Sequence, residues 1–285
     1  MNTEYNAVFD IDFYFRHELS YDSNNLFPHQ HLDYEVFLNL SDELLVYING
    51  VTRIVKKGTI LLFNNMDLHR TQKLSPDIYD RYVFHFKPDY ITSLSSPQTD
   101  LLACFLYRPF ENSHYLPLTD TQLTQVVKKL EAVIRLEKEN EEFVYGKDIL
   151  LKTKLAELLI FVNDLYCKYH NIKHSELNFK YSQIYQIIDY INKNYTESCS
   201  LEHLTNHFKI NKNYLCKLFR EVSGKSITQY TLDCRLSYAK SYLLQGFQVD
   251  EVCSLSGFQN LSHFSRTFKS HEGISPKQFQ LSNRK

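Results

Sequence analysis

The sequence contains no tryptophan, two methionines, and only seven glycines and seven prolines in 285 residues. So little glycine and proline excludes collagen-like and low-complexity architecture. No window approaches 18 consecutive apolar residues, so no membrane-spanning helix is expected. The six cysteines (Cys104, Cys167, Cys199, Cys216, Cys234 and Cys253) are scattered, without a C-x-x-C pair. That spacing argues against a disulfide frame or thiolate zinc site and fits reduced thiols in a cytoplasmic chain. The first residues lack a basic patch followed by an apolar run, so no secretory leader is expected.

What is present is an ordinary globular composition, 43% hydrophobic and 23% charged, at a length suited to two domains. The net charge of −1 conceals an asymmetry. From Lys180 onward there are 14 Lys and Arg against 8 Asp and Glu, and the remainder has 18 against 25. A basic module joined to an acidic one suggests that the C-terminal part alone seeks a polyanion.

The two parts differ in pattern. Short apolar-aromatic runs fill the first ~110 residues: Asp12 to Phe15, Tyr34 to Leu38, Leu45 to Ile48, Ile60 to Phe63 and Arg81 to Phe86. Asn49-Gly50 between two such runs signals a hairpin, because both central turn positions favour positive φ. The expected fold class is α+β, with an N-terminal β-barrel over residues 1–115. From residue 118 the period changes to that of helices. Leu123, Val126, Val127, Leu130, Val133 and Ile134 form one stripe, and Ile149, Leu151, Leu155, Leu158, Leu159, Val162 and Tyr166 another. This antiparallel hairpin, residues 116–172, is the expected site of dimerisation, with Leu155 and Leu158 as its test positions. Residues 173–180 read as a linker, and 181–285 as all-helical.

The helical part contains a repeat. Shifted by 49 positions, Asn211 meets Asn260, Lys217 meets Arg266, Phe219 meets Phe268, Arg220 meets Lys269 and Gly224 meets Gly273. Each copy has an apolar helix, a turn, an Asn suited to N-capping and a second helix ending at Gly. A helix-turn-helix with basic exposed positions is the plan whose second helix enters the major groove. Ser226 to Leu244 would form a connecting helix of roughly 27 Å, able to place two such units about one DNA turn apart.

The run Gly257-Phe258-Gln259-Asn260-Leu261-Ser262-His263-Phe264-Ser265-Arg266-Thr267-Phe268-Lys269, continued by Gly273-Ile274-Ser275-Pro276-Lys277-Gln278-Phe279, closely resembles the signature of AraC/XylS-type transcription regulators. The resemblance covers about 100 C-terminal residues. It implies a double helix-turn-helix domain on double-stranded DNA, a cupin-like sensor barrel, a small-molecule effector, RNA polymerase as partner and a homodimer. Thr205 and Cys253 stand where the family usually has Ala, and Phe208 stands where the second copy has the turn glycine Gly257. Carried onto this chain, the base-reading positions are Asn213, Cys216 and Lys217, then Leu261, Ser262, His263 and Arg266. Arg266 best matches guanine, through its planar fork. Lys212, Arg220 and Lys269 suit phosphate contact.

In the β region, His29, His31 and Glu35 form H-x-H-x₃-E, followed by His69, a pattern similar to the metal-binding motif of cupins. On one strand, His29, His31 and Glu35 would share a face. Asn65-Met66-Asp67 replaces the usual Pro-x-Gly, and AraC-type sensor barrels often keep such residues without metal. The expected pocket is therefore organic and needs no cofactor, with His29, His31, Tyr34, Glu35, His69, Arg81 and His85 as its candidates and a sugar or related metabolite as one possible effector. Tyr34, Phe37, Tyr47, Phe63, Tyr82 and Phe84 offer aromatic lining. Two alternatives stay open: a metal-dependent cupin enzyme with an appended DNA-binding domain, and a ligand-independent regulator.

Overall fold

The computed structural model describes residues 13–21, 28–31, 33–96, 98–108, 113–138, 145–173, 182–197 and 199–282. The chain divides into two compact units, Ile11–Lys180 and one holding Tyr181–Lys285. Of the expected linker, residues 174–180 lie outside the described part.

The first unit contains β1 (Phe13–Ser20), β2 (Tyr34–Asn39), β3 (Glu43–Ile48), β4 (Val51–Lys56), β5 (Thr59–Phe63), β6 (His69–Lys73), β7 (Tyr79–Phe86) and β8 (Tyr115–Pro117). Among the described residues these make two sheets rather than one closed barrel: β1-β7-β2-β5-β8 and β4-β3-β6. Asn49 and Gly50 both take positive φ and close the β3–β4 hairpin, pairing Ile48 with Val51. The sheet continues past the expected boundary at residue 115, because β8 pairs with β5.

The larger sheet is covered on both faces, so every residue of β2 and β5 is buried. One face meets the smaller sheet in a core of Phe37, Leu61, Phe63, Tyr79 and Val83 against Leu44, Val46, Ile48 and Val55. The other face takes helices. Two short ones, α1 (Pro88–Thr92) and α2 (Ala103–Leu106), follow β7, then come α3 (Asp120–Lys138) and α4 (Lys147–His170). Tyr34 and Phe86 pack on Phe105 of α2.

Lys147 Nζ donates to the Glu137 carbonyl and Lys129 pairs with Glu157, so α3 and α4 run antiparallel. The α4 stripe packs inward within this unit. Leu155 and Leu158 are buried, and Tyr166 Oη donates to the Tyr107 carbonyl. This corrects two expectations. Ile149 is 66% exposed and lies off the stripe, while Leu155 and Leu158 are core positions that cannot report on a dimer interface.

The second unit is helical: α5 (Ser182–Asn194), α6 (Leu201–Phe208), α7 (Lys212–Ser223), α8 (Ile227–Leu244), α9 (Val249–Leu255), α10 (Leu261–Glu272) and α11 (Pro276–Ser282). Ile184, Ile187, Ile188 and Ile191 are all buried. Ser226 caps α8, accepting from the Gln229 N–H. Tyr230 Oη donates to Asn192, Arg235 Nε donates to the Tyr195 carbonyl, and Gln280 Nε2 donates to the Leu243 carbonyl. Helix α8 is thereby tied to α5 at one end and to α11 at the other.

Candidate nucleic-acid interface and sensor cluster

The two repeats fold alike. Asn211 Oδ1 accepts from the Asn213 and Tyr214 N–H groups at the start of α7, and Asn260 Oδ1 accepts from the His263 N–H at the start of α10. Gly224 and Gly273 end these helices in the left-handed conformation, each donating its N–H back into the last turn. Leu215, Leu218 and Phe219 bury one side of α7, and Phe264 and Phe268 one side of α10. The opposite sides are left to solvent. Lys212, Asn213, Cys216, Lys217 and Arg220 are exposed on α7, and Leu261, Ser262, His263, Arg266 and Lys269 on α10.

The turns differ by one residue. In the second copy the left-handed residue is Gly257, three positions before the cap. In the first it is Lys209 at φ 53°, two positions before the cap. Helix α6 runs through Phe208, two residues past the counterpart of Leu255 where α9 ends, and the next residue takes the turn conformation.

In the first unit, five of the seven proposed pocket residues meet. Glu35 lies on β2, His69 on β6 and His85 on β7, while His29 is bridged to His69 by paired backbone hydrogen bonds of 2.9 Å. His29 and His31 precede β2 rather than sharing a strand with Glu35, so loop geometry brings them in, not strand parity. Glu35 Oε2 lies 2.9 Å from His31 Nε2, 3.1 Å from His69 Nε2 and 3.9 Å from His85 Nε2. Phe63 stacks on His69 with ring centroids 4.0 Å apart.

Burial works against charge here, and the partners decide which groups keep it. Glu35 is fully enclosed, yet the imidazoles of His85, His31 and His69 hold its carboxyl well below the usual range. Burial opposes protonation of His31, but the hydrogen bond and charge of Glu35 push its pKa up. Burial, then neighbouring His69 and His31, holds His29 well below the ordinary imidazole value. Burial lowers His85 to about 4.

Tyr34 and Arg81 do not join the cluster. Adjacent strand residues point to opposite faces, so Tyr34 lies on the helix side, away from Glu35. Arg81 shares the face of His85 but sits four residues along β7, about 13 Å away. There it pairs with Glu18, donates to Ser20 Oγ and lies over the Tyr79 ring. Of the expected aromatic lining, Phe37 and Phe63 face the smaller sheet, whereas Tyr82 and Phe84 share the helix-side parity of Tyr34. Tyr47 alternates with the inward Val46 and Ile48, and so faces out.

The profile described as "AraC-like ligand binding domain" matches residues 14–159, and that described as "Helix-turn-helix domain" matches residues 204–282. The chain belongs to the AraC family. The melibiose operon regulatory protein of Escherichia coli K12 is 26% identical over 104 residues, 35% of this chain and 34% of that protein. An HTH-type transcriptional regulator of Staphylococcus aureus N315 is 24% identical over 240 residues, 81% of this chain. The chain spans only 29% of the length of that regulator. Among solved structures, ToxT from Vibrio cholerae bound to (E)-4-(8-methylnaphthalen-1-yl)but-3-enoic acid matches with TM-score 0.61 at 19% identity, covering 96% of this chain and all of that one. ToxT bound to an unsaturated fatty acid matches at 0.60 and 17%, covering 94% and 95%. This AraC-family chain therefore shares the ToxT fold.

One exposed recognition-helix residue escaped the sequence reading. Tyr214 is 48% exposed on α7 and stands 49 positions before His263. Applying the repeat offset to His263 would have found it.

Proposed function

We propose that the protein is a sequence-specific DNA-binding transcription regulator, an activator acting as a homodimer on RNA polymerase, whose first unit responds to a small molecule. The observation that carries this is the duplicated, Asn-capped helix pair. Each second helix leaves basic and hydrogen-bonding side chains exposed, and α8 braces the two pairs within one unit. Such side chains can neutralise phosphates and read base edges. Among the described residues no helix is long and apolar enough to cross a membrane, which agrees with a regulator working in the cytoplasm.

We read the first unit as a sensor and not as an enzyme. The melibiose regulator's name and the acid bound to ToxT support a small-molecule effector while pointing to different chemistries, a sugar and a carboxylic acid. Selection of the full chain on a randomised duplex library, followed by anisotropy titration, tests the DNA reading. It should return two half-sites about 10 bp apart. Equal affinity for all duplexes would defeat it. A thermal-shift screen tests the sensor reading, since ligand at 100 Kd adds about 2.7 kcal/mol of stability.

A further inference from the structure

The hydrogen bonds around Glu35 set a problem of polarity. His31 Nδ1 lies 2.9 Å from the Asp33 carbonyl, and His69 Nδ1 lies 2.9 Å from the Asp67 carbonyl. A carbonyl oxygen only accepts, so each Nδ1 carries its ring's proton. In the neutral ring, Nε2 is then a lone pair. Both of these Nε2 atoms point at the same carboxylate oxygen, at 2.9 and 3.1 Å. Lone pairs facing an anion at such distances repel unless something positive lies between. Protons could satisfy both contacts by one imidazolium with a protonated Glu35 between the rings, or by two imidazolium ions, in either case charging a ring in a buried site. A single divalent cation brings the same charge and leaves both rings neutral.

We propose that His29, His31, Glu35, His69 and His85 form a binding site for one divalent first-row transition ion. The ligand atoms of His29, His31 and His69 lie within 4.8 Å of one another, as do those of His31, Glu35 and His85. A five-coordinate ion with bonds of ~2.0–2.1 Å has adjacent ligand atoms about 3 Å apart. The three Glu35–imidazole separations, 2.9, 3.1 and 3.9 Å, straddle that value. The Nδ1–H to carbonyl bonds of His31 and His69 are the outer hydrogen bonds by which metal-binding histidines are oriented. The scaffold is stiff, because β2, β6 and β7 each supply one ligand and the backbone bridge to His69 fixes His29. Imidazoles with one carboxylate and no thiolate suit Zn²⁺, Fe²⁺, Co²⁺, Ni²⁺ or Mn²⁺, and not the all-oxygen preference of Ca²⁺ or Mg²⁺.

The test uses the full chain, stripped with a chelator, dialysed, and titrated with Co²⁺ and with Zn²⁺. One equivalent should bind. The Co²⁺ form should show visible ligand-field bands without thiolate charge transfer, and Zn²⁺ at 100 Kd should raise Tm by about 5–10 °C. Mg²⁺ should do neither. Glu35→Gln keeps the side-chain shape and supplies an amide donor to an imidazole lone pair. It should weaken Zn²⁺ binding at least about tenfold, while His17→Ala leaves binding unchanged. No uptake, thiolate bands, or wild-type affinity in Glu35→Gln would overturn the site. If Glu35→Gln fails to fold, the stoichiometry and spectrum of the wild-type Co²⁺ form decide alone. DNA affinity read on the same samples separates this inference from the regulator reading, because lost uptake with intact DNA binding sinks only the metal site.

Discussion

Asp67 Oδ1 accepts a hydrogen bond from His114 Nε2 at 2.9 Å, joining the β5–β6 connection to the residues just before β8. The same carboxylate accepts from Asn49 Nδ2 in the β3–β4 turn and from the Asn64 N–H, each at 2.9 Å, and pairs with Arg108 at 3.5 Å. Four chain segments thus converge on one buried acid. Asp67→Ala takes the carboxylate partner from Arg108, which keeps its bonds to the Leu62, Phe105 and Ser113 carbonyls. It also leaves the Asn49, Asn64 and His114 donors without their acceptor, and should cost about 3–5 kcal/mol. Denaturant melts of the full chain measure this. A loss below about 1 kcal/mol would mean that the acid is not the organising group.

The repeat, the capping asparagines and the Asn49-Gly50 hairpin could all be read from the chain, because each rests on local chemistry at a fixed offset. The facing of the sensor residues could not. Strand parity is readable when one side is polar, but β2 and β5 are buried on both sides and carry no alternation. Sequence position alone therefore groups Tyr34 with Glu35 although adjacent residues must part company, and Arg81 with His85 although four residues separate them. The His and Glu types were visible at 29, 31, 35, 69 and 85, whereas their meeting depends on a β5–β6 crossing and a loop bridge that no spacing encodes.

The shortened first turn gives the next prediction. Lys209 holds φ 53°, where a Cβ crowds the following carbonyl, at a cost of roughly 1–2 kcal/mol. Lys209→Gly should relieve part of this and stabilise the unit by about 0.5–1 kcal/mol after glycine's entropy cost. Differential melting against wild type reads the sign. A destabilised variant would show that the lysine side chain contributes more than its backbone costs.

The second turn should respond in the opposite way. A Cβ on Gly257 would sit 2.7 Å from Thr196 Cα, and φ is 78°. Both the strain and the overlap with backbone oppose Gly257→Ala, which should lose about 2–4 kcal/mol. If the variant melts as wild type does, the two segments are not packed as closely as this.

Dimerisation through the helical hairpin must now be tested at exposed positions. Ile149 is 66% and Ile160 53% exposed on α4. The double variant Ile149→Glu and Ile160→Glu should be monomeric in sedimentation with an unchanged melt, because neither side chain lies in the core. An unchanged dimer would place the interface elsewhere.

The two reading helices should divide their labour. Helix α7 exposes Asn213, Tyr214, Cys216 and Lys217, and α10 exposes Leu261, Ser262, His263 and Arg266. Lys217 and Arg266 occupy equivalent positions, yet they are not equivalent donors. Arginine holds a rigid fork that matches guanine O6 and N7, whereas lysine is a mobile point charge. In the free protein, Arg266 Nε donates to the Ser262 carbonyl one turn earlier at 3.3 Å, and the two terminal guanidinium nitrogens remain available to form that fork. Arg266→Ala should cost about 1–3 kcal/mol at one base position and flatten the preference there. Lys269, near the end of α10, suits a phosphate, so Lys269→Ala should weaken every sequence alike and reduce the salt slope by about one unit. Titrations on a base-substituted duplex set at two salt concentrations distinguish the two roles. If Arg266→Ala lowers all sequences equally, Arg266 is a phosphate clamp, and sequence reading by α10 falls to Ser262 and His263.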